Sequence, residues 1–190
     1  MKVDGILPFA RTLLKKAVKP GDIAIDATTG NGNDTVYLAQ LVGKTGHVYG
    51  FDIQKEAITN TEKRLKEQNL FERATLFHLG HEEIIHSVPS NLHGLVTGAI
   101  FNLGYLPGGD KSIVTQSGTT IQAIEQLLNI LAPEGIIVLV IYHGHAEGAV
   151  ERDHLLSYVK DLSQKNVHVL QYQFINQKNN PPFIIALEKR

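Results

Sequence analysis

The chain has no cysteine among its 190 residues. Disulfides and thiolate metal sites are thereby excluded, which suits a reducing compartment. No apolar run reaches membrane-spanning length, and the start, Met1-Lys-Val-Asp-Gly-Ile-Leu-Pro8, lacks the hydrophobic segment of a signal peptide. The expectation is a cytoplasmic protein with no membrane contact. An excess of positive charge is missing too. Eighteen basic and 19 acidic residues leave a net charge of −1, which argues against gripping nucleic acid by charge alone. Internal repeats, low-complexity tracts and linkers are also lacking. With 43% hydrophobic residues, the length suits one well-cored domain over 1–190.

What is present is an alternation of helices and strands. Ile6, Phe9, Ala10, Leu13, Leu14 and Ala17 fall at helical spacing and predict a helix over 6–18, stopped by Pro20-Gly21. Strands follow at 23–26, 48–52, 74–79, 95–101 and 136–142. Between them lie helices at 34–41 and 57–70, a short helix or turn at 82–88, and a helix from Thr119 or Thr120 to Leu131. Residues 103–110 are too rich in glycine and proline to be regular, Pro133-Glu-Gly135 is a turn, and 149–162 is a last helix. Strands at 167–174 and 183–187 are joined by only 175–182, too short for a crossover helix. That final pair must be antiparallel. Two basic clusters stand out, Arg11, Lys15, Lys16 and Lys19, then Lys63, Arg64, Lys66 and Arg73. Solvated helix faces account for both.

The most informative stretch runs from Ile23 to Thr35. An apolar strand ends in Asp26, a Gly30-Asn31-Gly32 turn follows, and a polar residue opens a helix. A second acid, Asp52, closes the next strand. This reads as a nucleoside-cofactor site at the first two strands of a doubly wound sheet. NAD is one reading, with Asp52 at the ribose. Against it, Thr35 stands where a dinucleotide fingerprint has its third glycine, and Asp26 would repel a pyrophosphate. S-adenosylmethionine has an ammonium, a sulfonium and a ribose diol but no phosphate, and matches the two acids better. No metal is expected, since no ligand set has metal-binding spacing.

Together with the reversed final pair, Asp26-Ala-Thr-Thr-Gly-Asn-Gly-Asn33 and Asp52 resemble the class I S-adenosylmethionine-dependent methyltransferases. The resemblance implies an α/β, Rossmann-like fold: a seven-stranded, mostly parallel sheet with an antiparallel last strand and helices on both faces. It also implies Asp26, Gly30, Asn31, Asn33, Asp52 and Gln54 as cofactor contacts, with His81 or Glu82 at the adenine. Asn102-Leu-Gly-Tyr105 is similar to the Asn-Pro-Pro-Tyr motif of methyltransferases acting on amino nitrogens, with Leu103-Gly104 in place of the prolines. By that likeness, Asn102 and a neighbouring carbonyl accept the N–H bonds of the acceptor, and Tyr105 packs on it. Tyr142-His-Gly-His-Ala-Glu-Gly148 follows the fifth strand, and His145 and His143 are candidate bases or substrate positioners.

The combination of Asp-Ala-Thr-x-Gly-Asn-Gly-x-Asp-Thr, Gly-His-Glu, Phe-Asn-Leu-Gly-Tyr-Leu-Pro-Gly-Gly-Asp-Lys and Tyr-His-Gly-His-x-Glu-Gly is more specific. It resembles the MnmM (YtqB) family, also described as rRNA methylases. That resemblance implies a tRNA methyltransferase releasing S-adenosylhomocysteine. Its acceptor would be the amino group of 5-aminomethyl-2-thiouridine at the wobble position, its partner the tRNA anticodon region. Small-molecule amine and rRNA methyltransferases are the alternatives, and a regulator that has lost catalysis is a third. Any tRNA grip must come from the rim of the domain, with the early basic helix as contributor. A homodimer would combine two such surfaces.

Overall fold

The structure is a computed structural model describing residues 2–106, 108, 114–144 and 146–190. Seven strands form one sheet: β1 (Ile23–Asp26), β2 (His47–Phe51), β3 (Ala74–Phe77), β4 (Val96–Leu103), β5 (Leu131–Ile141), β6 (Val167–Tyr172) and β7 (Phe183–Lys189). Their order is β3-β2-β1-β4-β5-β7-β6. The first five run parallel, and β7 is antiparallel to both β5 and β6. The reversal inferred from the short 175–182 connection is therefore present.

The strands alternate in the faces they pack. Ile137, Leu139 and Ile141 of β5 join one core, and Val138 and Val140 the other. The first core is completed by helices α5 (Ser117–Ile130) and α6 (Ala146–Asp161) through Ile124, Leu127, Leu155 and Val159. The second takes α1 (Ile6–Ala17), α2 (Asn33–Leu41) and α3 (Lys55–Glu67) through Leu13, Leu14, Leu38 and Leu65. Helices on both faces bury the whole middle of the sheet. Strand order reverses at β1, whose neighbours are β2 and β4. In such sheets the crevice at the carboxyl ends of the strands flanking that point receives ligands.

Three boundaries differ from the sequence expectation. Strand β4 runs on through Leu103, so Asn102 is paired with Val140 inside the strand and Leu103, expected to open the loop, pairs with Ile141. Strand β5 starts at Leu131, not Ile136. Leu131 pairs with Val96 and Ile136 with Gly98, leaving 132–135 bulged, with Glu134 at φ 62°. Helix α5 begins at Ser117 after Gln116, and neither Thr119 nor Thr120 caps it. The Thr120 hydroxyl instead donates to the buried Glu151 carboxylate at 2.9 Å, and that bond outcompetes a local cap. A short helix, α4 (Ile84–Ser87), follows a 3-10 turn over His81–Glu83.

Candidate active site

Two clefts meet above the reversal point. The first, of about 310 Å³, is lined by Thr28, Gly30, Asp52, Gln54, His81 and Glu82, among others, and by Asn102, Gly104 and Tyr105. The second, of about 570 Å³, is lined by Arg11, Asn31, Asn33, Asp34, Tyr142 and His143, and again by Thr28, Gly30, Asn102, Gly104 and Tyr105. The shared residues make the end of β4 a common wall. A donor in one cleft and an acceptor in the other would meet there.

The first cleft is organised by the β1–α2 turn. Gly32 caps α2 at φ 79°, and a Cβ there would lie 2.9 Å from the Thr61 Cα, so α3 can pack only on glycine. Gly30 N–H donates to Asp52 Oδ2 at 3.0 Å and Gln54 N–H to Oδ1 at 2.9 Å. Both oxygens keep lone-pair capacity for a diol. Desolvation raises the Asp52 pKa despite these bonds. His81 is buried beside the edge of the Phe101 ring, its pKa lowered by burial, and the Glu82 carboxylate lies back over Gly80. Among the described residues, no lysine or arginine lines this cleft, while two carboxylates do. Two carboxylates suit a cofactor with a diol, a sulfonium and an ammonium better than one with a pyrophosphate.

Asp26 is fully buried and is not among the lining residues of either cleft. It accepts from Thr35 Oγ1 at 2.6 Å and from Thr28 N–H at 3.2 Å. Burial, with the nearby Asp34 charge adding to it, pushes its pKa up to about 7. Asp26 thus anchors the glycine turn from beneath. Asn31 and Asn33 line the second cleft rather than the first, accepting from Asn60 and Arg64 respectively.

In the common wall, Asn102 N–H donates to Thr28 Oγ1 at 2.7 Å, and Asn102 Nδ2 donates to Asp34 Oδ2 at 2.9 Å. A carboxylate only accepts, so the amide must present nitrogen to Asp34, leaving Oδ1 as its acceptor. Gly104 has φ 152°, a value proline cannot adopt, which explains why the Pro-Pro of the amino-directed motif is absent. The Leu103 carbonyl already accepts from Tyr142 N–H at 3.1 Å. His143 is buried with both ring nitrogens engaged: Nε2 donates to Pro181 O at 3.0 Å, and Arg152 donates to Nδ1 at 3.2 Å. That pairing holds the β5 end against the 181 segment, while His143, expected as a base or substrate positioner, lines the second cleft. His145 lies outside the described residues, as do residues 107, 109 and 110 of the expected 103–110 loop.

Two groups in this region make contacts that the sequence did not signal. Arg11 pairs with Asp34 at 3.3 Å and lies over the Tyr37 ring. Glu151, on α6, accepts from Thr115 Oγ1 at 2.6 Å and Thr120 Oγ1 at 2.9 Å, and Thr115 Oγ1 in turn accepts from Gly104 N–H. Among the described residues, no group of His, Asp and Glu has metal-binding geometry, and no helix is long and apolar enough to cross a membrane.

This sheet order, with its reversed last strand, is the fold of the class I S-adenosylmethionine-dependent methyltransferases, and the relatives below make the chain one of them. A family model described as "Putative rRNA methylase" matches residues 48–188. The chain belongs to that rRNA-methylase family, the one its motifs resemble. A chloroplastic tRNA (mnm5s2U34)-methyltransferase of Arabidopsis thaliana is 36% identical over 95% of this chain and 68% of its own length. A Clostridium thermocellum protein described as a "putative rRNA-methylase" superposes with a TM-score of 0.96 at 43% identity, covering all of both chains. A methyltransferase from Streptococcus mutans, solved with S-adenosylhomocysteine, gives 0.89 at 37% identity over 99% of each.

Proposed function

We propose that the protein methylates the amino group of 5-aminomethyl-2-thiouridine at the tRNA wobble position, giving the 5-methylaminomethyl form. The observation that carries this reading is Asn102 in the wall common to both clefts, its amide held by Asp34 so that Oδ1 remains to accept. An acceptor amine donating to that oxygen has its lone pair turned away from it. The Arabidopsis relative, named for this modification, supports the choice of acceptor.

Asp52 would take the ribose hydroxyls, Gln54, His81 and Glu82 would flank the base, and Asp26 would act through the turn it anchors. When bound, S-adenosylmethionine supplies a methyl group on a sulfonium, open to in-line displacement by a nitrogen lone pair. The chain's own work is then positioning. Tyr105, lining both clefts, would pack on the acceptor, and Arg11, with the exposed Lys15, Lys16 and Lys19 of the same helical stretch, would face the RNA backbone.

Mass spectrometry of tRNA nucleosides from a deletion strain tests the acceptor. The expected result is accumulation of 5-aminomethyl-2-thiouridine. An unchanged wobble profile would refute it and return the acceptor to rRNA, which the family description favours, or to a small amine.

A further inference from the structure

We propose, resting on the amine-methylation reading, that Asp34 is the acceptor-side carboxylate: it receives the acceptor's ammonium group and takes its proton before methyl transfer. Asp34 lines the second cleft, its side chain 13% exposed, next to the Asn102 wall. An alkylamine with a lysine-like pKa of about 10.4 has roughly one molecule in a few thousand deprotonated at pH 7. A protonated amine has no lone pair, so a site that selects amines must both attract the cation and remove a proton. With both ring nitrogens of His143 engaged, the Asp34 carboxylate supplies the negative charge on this side of the wall.

The surroundings permit both tasks. Arg11 of α1 holds Asp34 Oδ1 at 3.3 Å, a long contact from a half-exposed side chain that an incoming ammonium can displace. Tyr37 of α2, the fully buried Asp26 of β1 and Tyr142 after β5 are the other titratable groups that feel its charge. Burial chiefly, with the Asp34 charge adding to it, raises the pKa of the Tyr142 phenol, which stays neutral and a donor at physiological pH. In the step itself, one ammonium N–H bond breaks and an O–H bond forms on Asp34. The carboxylate becomes a neutral acid, and the electron pair of the broken bond stays on nitrogen as the attacking lone pair. The Asn102 amide, still bonded to Asp34, keeps its oxygen on the remaining amine N–H.

The test uses Asp34→Asn, which can still accept the Asn102 N–H bond but carries no charge. Two anticodon stem-loops are compared in the presence of S-adenosylhomocysteine, one bearing 5-aminomethyl-2-thiouridine and one 2-thiouridine. The wild type should bind the amine-bearing form at least about tenfold more tightly at pH 7, a discrimination that Asp34→Asn erases without changing affinity for the other form. In turnover, the variant should lose at least about thirtyfold at pH 7, the deficit shrinking to roughly threefold near pH 9.5, where the amine deprotonates unaided. A deficit equal at every pH, or retained discrimination, would overturn the proposal. The same pair is run on the free nucleosides. If the wild type prefers the amine nucleoside but neither stem-loop, the tRNA reading has failed while Asp34 stands. If it prefers the amine in neither form, Asp34 has no such role.

Discussion

Among the described residues, the first cleft is lined by two carboxylates and no lysine or arginine, and its main bonds lie between backbone N–H groups and Asp52. The second cleft gathers Arg11, Asp34, Asn102, Tyr142 and His143 from α1, α2, β4 and the β5 end, and binds them by side-chain contacts. The floor of the first is a local construction of two consecutive strand-to-helix turns, closed by His81, Glu82 and the end of β4. The second is assembled from residues up to about a hundred and thirty positions apart in the chain. Local backbone geometry tolerates little variation, since Gly32 leaves no room for a Cβ against Thr61. Side-chain assemblies can be retuned one residue at a time. A methyl donor common to many enzymes belongs in the first kind of site, and a particular acceptor in the second.

Substitution in the common wall should separate the two most sharply. Asn102→Ala removes the proposed acceptor oxygen and frees Asp34 from its amide bond. Single-turnover methyl transfer should fall by about a hundredfold or more, with S-adenosylhomocysteine affinity by calorimetry held within about twofold. Comparable losses in both measurements would mean that the wall does not divide donor from acceptor. The mirror experiment is Asp52→Ala, which takes away the acceptor of the Gly30 and Gln54 N–H bonds. Cofactor affinity should weaken by about ten- to a hundredfold, the scale of a lost charged hydrogen bond, while saturating cofactor restores most of the rate. Unchanged affinity would remove Asp52 from the donor side.

The same division governs what could be read in advance. Asp26, Gly30 and Asp52 lie on consecutive strands and turns, so apolar runs ending in acids announced them, and the short 175–182 connection forced the reversed pair. The pairing of Arg11 with Asp34 was not legible. Arg11 was one of four basic residues on an early helix assigned to the RNA, and Asp34 a member of the first motif with no role of its own. They become a site only when α1 packs across β4 and β5. For His143 the strand's carboxyl end placed the residue at the cleft but said nothing of its partner, Arg152, nine residues on, which bonds its Nδ1. Glu151 offered nothing to see, because a lone glutamate on a helix is ordinarily solvated.

Glu151 also tests how far the wall depends on what lies behind it. Thr115→Val removes the hydroxyl that links Glu151 Oε2 to Gly104 N–H, taking one bond from the buried Glu151 carboxylate and one from the half-buried Gly104 N–H. Stability should fall by about 2 kcal/mol, a drop of roughly 4–8 °C in melting temperature for a chain of this size. Since Gly104 lines both clefts, donor affinity and methyl transfer should then decline together, unlike in Asn102→Ala. An effect on one alone would show that the loop answers to only one side.

The smallest effect belongs to Asp26, and its sign can be fixed beforehand. Its native pKa, about 7, lies above the unfolded value of 3.8, so the folded state binds the proton more tightly. That contribution is complete below pH 4 and is lost as pH rises through 7. Asp26→Asn keeps a neutral group that can bond Thr35 Oγ1 and accept from Thr28 N–H, but it has no charge to bury. The variant should match the wild type near pH 4 and be more stable at pH 8 by about 1 kcal/mol, or roughly 2–4 °C, well below the full value of about 4 kcal/mol because buried sites relax around a charge. Thermal melts of the ligand-free protein at both pH values measure the difference. A loss of stability at pH 8 would mean that the charge on Asp26 helps hold the turn. If instead stability rises while cofactor affinity stays within twofold, Asp26 acts beneath the first cleft and not in it.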